Sequence, residues 1–191
     1  MTPPPNRHAD AADRPLPSHG PSASYDEPMA MLEACHARVA QRVDLLERLG
    51  EHLAAQPGVD TPAREAASDL MRYFDLAAPL HHEDEERHVL PRLEREGRML
   101  LAEQIRADHA AFRTAWEAIR ADLARLVSEG DDLNDGLAER RERWHAYAQA
   151  YRAHIALEEA EAFPPVDALL DPQARLQMGV EMAGRRGVRP G

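Results

Sequence analysis

Four segments of this chain space their apolar residues at steps of three and four, and that period admits one kind of element. Leu32, His36, Val39, Val43, Leu46 and Leu53 share one helical face, and Leu70, Phe74, Ala77, His81, Glu85 and His88 share a second. Leu101, Ile105, His109, Phe112, Trp116, Ile119, Leu123 and Leu126 make a third stripe, and Trp144, Tyr147, Tyr151, His154 and Glu158 a fourth. Breakers separate them: Gln56-Pro57-Gly58, a Thr61 cap with Pro62 in the next turn, Gly97, and the run from Ser128 to Gly136. No strand pattern competes. The expected fold is all-α, an up-down-up-down four-helix bundle over residues 25–170. Residues 1–24, rich in Pro, read as a disordered tail, and residues 171–191, fading into Gly and Arg, as a flexible one. Pro79 lies inside the second stripe and frees the carbonyl of Asp75, so a kink is expected just before His81.

The polar residues within these stripes carry the functional information. A buried His or Glu costs free energy unless it is paired or bound, yet four His and two Glu share faces with Leu, Val and aromatic residues. Their spacing gives a common reason. His36 to His109, His81 to His154, Glu85 to Glu158 and Pro91 to Pro164 are each 73 residues apart, a pseudo-two-fold internal repeat. The core follows the same shift, with Phe74 mapping to Tyr147, Val39 to Phe112 and Leu46 to Ile119. The repeat also sets the register: His82 maps to Ile155, so His81 and Glu85 are chosen over His82 and Glu86. In antiparallel pairs, His36 and His81 each fall about 27 Å from their turn at 1.5 Å per residue, and His109 and His154 are matched in the same way. One central cluster is expected.

Four neutral imidazoles and two carboxylates on a bundle axis suit two borderline divalent metals, each with two His, and with Glu85 and Glu158 bridging. A His and a Glu four residues on project from one helical face and can serve the same centre. Nitrogen and oxygen ligation permits iron, manganese or zinc, and redox-active iron makes best use of the open positions. Composition removes the competing chemistries. All 23 basic residues are Arg, so no lysine is present for phosphate cradling or Schiff-base formation, and the single Cys35 cannot build a thiolate cage. A formal charge of −11 disfavours nucleic acid and anionic membranes as partners, and no run approaches a membrane span. A soluble, cytoplasmic protein is expected.

At these residues the chain resembles the hemerythrin-like, or HHE cation-binding, family. The resemblance runs from about Tyr25 to Leu170 and rests on the doubled His-x-x-x-Glu-Glu followed by Pro. It implies a four-helix bundle with two non-haem iron ions, oxo- or hydroxo-bridged, held by His36, His81, Glu85, His109, His154 and Glu158. The oxygen-carrying hemerythrins differ in having a further His four residues after the third-helix His, where this chain has Arg113, and an aspartate where it has Glu158. The four-His, two-Glu set is more similar to the bacterial branch connected with nitrosative stress and iron-sulfur repair. The implied function is binding or sensing of O₂, NO or peroxide, or handling of iron. The alternative is a di-iron enzyme: an oxidase, a peroxidase or a nitric-oxide-linked iron-sulfur repair protein. Around the cluster, His82, Glu83, Asp84 and Glu86 are expected on a solvated face, Cys35 as a small buried residue, and Tyr147 and Tyr151 as core, with a supporting role for His88, on the same face as His81, kept as the minority alternative. Tyr151 lies one turn before His154, within reach of a bound ligand.

Overall fold

The computed structural model describes residues 24–55, 58–128 and 136–188. The described chain is all-helical: α1 (Pro28–Ala55), α2 (Thr61–Arg72), a π-helical turn (Tyr73–Ala77), α3 (Ala78–His88), α4 (Leu90–Arg95), α5 (Met99–Ser128), α6 (Leu137–Leu157), a second π-helical turn (Glu158–Ala162), α7 (Phe163–Leu169) and α8 (Pro172–Arg185). None of these helices is long and apolar enough to cross a membrane. The N-terminal tail expected over residues 1–24 lies almost wholly outside the described residues.

Prolines explain why two of the long stripes are segmented. Each π-helical turn ends just before a helix with Pro in its first two positions, α3 with Pro79 and α7 with Pro164. A proline cannot donate to the carbonyl four residues back, and the wider turn absorbs the mismatch. The expected kink at Asp75 is therefore a π-helical turn, and Pro91 sets the break at Val89 between α3 and α4 in the same way. Asp75 is put to use: its carboxylate accepts from Trp116 Nε1 at 2.8 Å and from Arg120 Nε at 2.9 and 3.0 Å. The cap of α2 is Asp60 rather than Thr61, accepting from the Ala63 amide at 3.0 Å, with Thr61 and Pro62 already inside the helix. Gly97, at φ 77°, makes the left-handed turn into α5.

α1 packs against α2 and α6, and α5 packs against the same two. The contacts run in opposite senses along α1 and α6, and along α5 and α6. Gly50 faces Arg141 and Trp144 while Arg152 ion-pairs with Asp44 and Glu47; Asp122 accepts from Trp144 Nε1 at 3.1 Å while Asp108 meets His154. Two apolar cores result. One gathers Val39 to Leu53 of α1 with Leu70, Phe74, Phe112, Trp116, Ile119, Trp144, Tyr147 and Tyr151. The other gathers Met29 and Leu32 with Val89, Leu90, Leu93, Ile105, Phe163, Val166, Met178 and Met182.

α8 corrects the expectation of a flexible segment over 171–191. Asp171 caps it, accepting from the Ala174 amide at 2.8 Å, and Pro172 opens it. Met178 and Met182 are fully buried in the second core. The apolar stripe is faint in the sequence because two methionines and the small Gly179 and Ala183 carry it, although Asp-Pro is a readable start signal. Gly179 is obligatory in this packing, since a Cβ there would lie 1.8 Å from the Tyr25 carbonyl oxygen. Gly179→Ala is expected to push α8 off its seat and cost about 1–3 kcal/mol, the usual range for overpacking. Urea unfolding of the two proteins measures this, and an unchanged midpoint would show that α8 contributes nothing to the core.

Candidate metal centre

The six residues expected to act together meet in a layer between the two apolar cores. Each helix supplies them where it passes from one core to the other: His36 between Leu32 and Val39, His81 and Glu85 between Ala78 and Val89, His109 between Ile105 and Phe112, and His154 and Glu158 between Tyr151 and Ala162. All six are buried, and both glutamates are fully so. One potential ligand atom from each of Glu85, His109, His154 and Glu158 lies within 4.8 Å of the others, and the same holds for His36, His81 and Glu85.

Each carboxylate faces imidazoles from both halves of the repeat. Glu85 Oε1 is 3.4 Å from His36 Nε2 and 3.2 Å from His81 Nε2, and its Oε2 is 3.5 Å from His109 Nε2. Glu158 Oε2 is 3.1 Å from both His36 Nε2 and His154 Nε2, and its Oε1 is 3.9 Å from His109 Nε2. These approaches are not aligned as hydrogen bonds. Nε2 of His36, His109 and His154 and all four carboxylate oxygens are buried without a hydrogen-bond partner. Lone pairs aimed at a common space and satisfied by nothing within the protein are the signature of a cation site.

Three of the four rings are held from behind. His36 Nδ1 donates to Glu159 Oε1 at 3.0 Å, His109 Nδ1 to Glu86 Oε1 at 3.0 Å, and His154 Nδ1 to Asp108 Oδ2 at 3.2 Å. A carboxylate only accepts, so each Nδ1 carries a proton and each Nε2 points inward. This corrects the expectation of a solvated face for Glu86, which instead anchors His109. The roles of Glu159 and Asp108 go beyond the sequence expectation, although a signal exists for Glu159, since Glu86 and Glu159 are themselves 73 residues apart.

Other expectations are corrected as well. His82 is buried, with its ring stacked on His109 at a centroid distance of 4.1 Å and its Nε2 3.4 Å from the Tyr151 hydroxyl. Asp84 is fully buried; Arg185 Nε donates to its Oδ1 at 2.6 Å, and Arg186 Nη1 sits 2.6 Å from Oδ2. Glu83 keeps its outward place, paired with Arg87. His88 turns to α8, with Nε2 2.9 Å from Arg185 Nη2 and 3.4 Å from Glu181. Cys35 is buried and free, as expected. The Tyr151 ring stacks on Phe112 at 3.9 Å, and its hydroxyl addresses His82.

Burial and mutual repulsion with Glu158 push the Glu85 carboxyl up to about 8. Burial also opposes ionisation of Glu158, but the adjoining His154 and His36 outweigh it and hold that carboxyl well below the usual range. Burial lowers His36, yet Glu158 and Glu85 together carry it up to about 10. For His81 burial dominates and keeps the ring neutral. Without metal, the layer thus shares protons among groups that a cation would require bare.

An all-helical chain with a buried His and Glu layer between two cores has the attributes of a metal-binding helical protein. The sequence model of the hemerythrin HHE cation-binding domain matches residues 27–166. An uncharacterized protein of Haemophilus influenzae is 31% identical over 170 residues, covering 87% of this chain and 94% of its own length. The chain belongs to the hemerythrin HHE cation-binding family, and its cluster fits a metal site.

Two outcomes follow from this geometry. Glu85 and His36 bind a proton more tightly in the folded metal-free protein than in the unfolded chain, so the stability they lend is present below their unfolded values of 4.5 and 6.5 and is lost as pH rises through about 8 and 10. Metal-free protein is expected to melt progressively lower as pH rises from about 5 to 10, and the His36→Gln, Glu85→Gln double variant to show a flatter profile; circular dichroism melts decide, and a level wild-type profile would contradict the proton sharing. Glu86→Gln and Glu159→Gln are each expected to weaken metal binding about 10- to 100-fold, with Glu83→Gln neutral, in a competition titration against a chelator. Equal effects of all three would remove the role given to the anchoring carboxylates.

Proposed function

We propose that the layer holds two non-haem iron ions, one served by His36 and His81 and the other by His109 and His154, with Glu85 and Glu158 bridging. The protein would then bind or sense O₂, NO or peroxide, or handle iron, at a cytoplasmic site. The rods α1, α2 to α4, α5, and α6 with α7 are read as an up-down-up-down four-helix bundle with a pseudo-two-fold repeat, and α8 as an addition to it. The observation that carries this reading is the set of unpartnered Nε2 and carboxylate atoms converging from both halves. When bound, iron supplies redox activity and open positions for a small ligand.

The chain's own groups do the rest. Glu159, Glu86 and Asp108 hold three rings with their lone pairs inward, so little reorganisation is needed on loading. Glu85 and Glu158 bring two negative charges to offset cationic charge that could not otherwise enter a closed core. The apolar cores above and below keep bulk water out.

A second reading, the di-iron enzyme, is favoured by one feature. A cavity of about 240 Å³ lies beside the cluster, lined by Phe74, Phe112, Trp116, Tyr147, Tyr151 and His82 among others. Its inner wall, His82, stacks directly on His109. A cavity of about 150 Å³ can hold benzene, so this one has room for a small organic molecule as well as a diatomic gas. Stopped-flow mixing of the reduced protein with O₂, NO or peroxide distinguishes the readings: a reversible spectral change supports binding or sensing, and sustained turnover supports the enzyme.

Protein expressed with ample iron is expected to carry close to two irons per chain by elemental analysis, with Mössbauer spectra of coupled ions. One tightly held zinc and no iron would sink the reading. Removal of the metal is expected to lower the melting temperature while leaving the chain helical, because binding to the folded form alone contributes about 3–4 kcal/mol when free metal exceeds Kd by 100- to 1,000-fold.

A further inference from the structure

The 73-residue shift that relates the ligands also relates the groups behind them, and in one place it fails. Glu86 behind His109 becomes Glu159 behind His36, with the same 3.0 Å contact. Applied to Asp108, which stands behind His154 at 3.2 Å, the shift gives Cys35 as the counterpart of the anchor and His81 as the counterpart of the ring. A thiol is a weak acceptor, and His81 Nδ1, in a residue only 2% exposed, is buried with no hydrogen-bond partner. The two halves differ in a second respect: Glu85, His109, His154 and Glu158 converge as a group of four, whereas His36 and His81 converge with Glu85 as a group of three, to which Glu158 adds a 3.1 Å approach to His36.

We infer that the two metal positions are inequivalent, with the His109 and His154 position binding first and more tightly than the His36 and His81 position, and that Cys35 in place of an anchoring carboxylate sets much of the difference. The inference rests on the two-metal reading above. The physical cause is tautomer control. Asp108 takes the Nδ1 proton of His154 in a hydrogen bond, orients Nε2 inward and raises the basicity of the ring, whereas His81 Nδ1 has no hydrogen-bond partner to select that tautomer, its ring being held only by packing on His36 and His82. Loss of such an anchor typically costs 10- to 100-fold in metal affinity, enough to separate two otherwise matched positions. The His36 and His81 position becomes the one that loads last and exchanges first.

Repulsion between two divalent ions also splits successive binding steps, so the test uses the sign of a change rather than the presence of a gap. Metal-free protein is titrated with cobalt(II) against a competing chelator, with the visible ligand-field bands giving both affinities and the stoichiometry. In Asp108→Ala the tighter step is expected to weaken about 10- to 100-fold and the gap between steps to narrow. Asp108→Asn, which keeps an acceptor oxygen, is expected to restore much of the gap, as a merely structural disturbance would not allow. Cys35→Asp is expected to narrow the gap from the other side, by tightening the weaker step; far-UV circular dichroism confirms that each variant is folded. If the halves were equivalent in the wild type, Asp108→Ala would create an imbalance and widen the gap. A widened or unchanged gap at a stoichiometry of two overturns this inference alone. A stoichiometry of one in the wild type overturns the two-metal reading and this inference with it.

Discussion

Six buried side chains carrying polar atoms without hydrogen-bond partners lie in a single layer across the middle of this molecule, and the rest of the structure is arranged around the cost of keeping them there. A buried carboxylate or imidazole with no partner is among the most expensive features a core can contain. Here Glu85 and Glu158 are fully enclosed and their four oxygens have no hydrogen-bond partner. Apolar packing on both sides closes the layer to water, so proton sharing or a cation must settle its charge. The same closure fits the layer to a cation, because three of its rings are already held in place by carboxylates behind them.

Proline-directed segmentation aims the side chains of the layer. The π-helical turn Tyr73–Ala77 precedes the helix that carries His81 and Glu85, and the second π-helical turn begins at Glu158 itself. A π-helical turn rotates the residues after it relative to an ideal helix. Carboxylates on neighbouring helices then fix three of the four imidazoles, so each half of the repeat is completed by the other: Glu86 of the first half anchors His109 of the second, and Glu159 of the second anchors His36 of the first. Neither half could build this layer alone.

α8 lies beyond the matched family domain, which ends at residue 166. It closes the second core with Met178 and Met182 and brings Arg185 and Arg186 to the buried Asp84, next to Glu85 in the chain. A fully buried Asp without those guanidinium groups would carry an unpaired charge beside the His and Glu layer. The C-terminal helix and the helix bearing His81 and Glu85 are thereby linked through one ion-pair cluster.

The helical period, the breakers and the 73-residue repeat are all legible in the amino-acid sequence, because each depends on residue type and spacing along one chain. They single out His36, His81, Glu85, His109, His154 and Glu158, and the fold brings these together. Which faces of the intervening residues meet a neighbouring helix is not legible there. Asp84, His82 and Glu86 have the composition of a solvated run, yet one is clamped by α8, one stacks on His109 and one anchors it. Residue type and period determine where a helix forms and which stripe is buried. Partners more than 20 residues away are decided only when helices pack, because a charged side chain is buried or exposed according to what stands opposite it, and no local pattern encodes that.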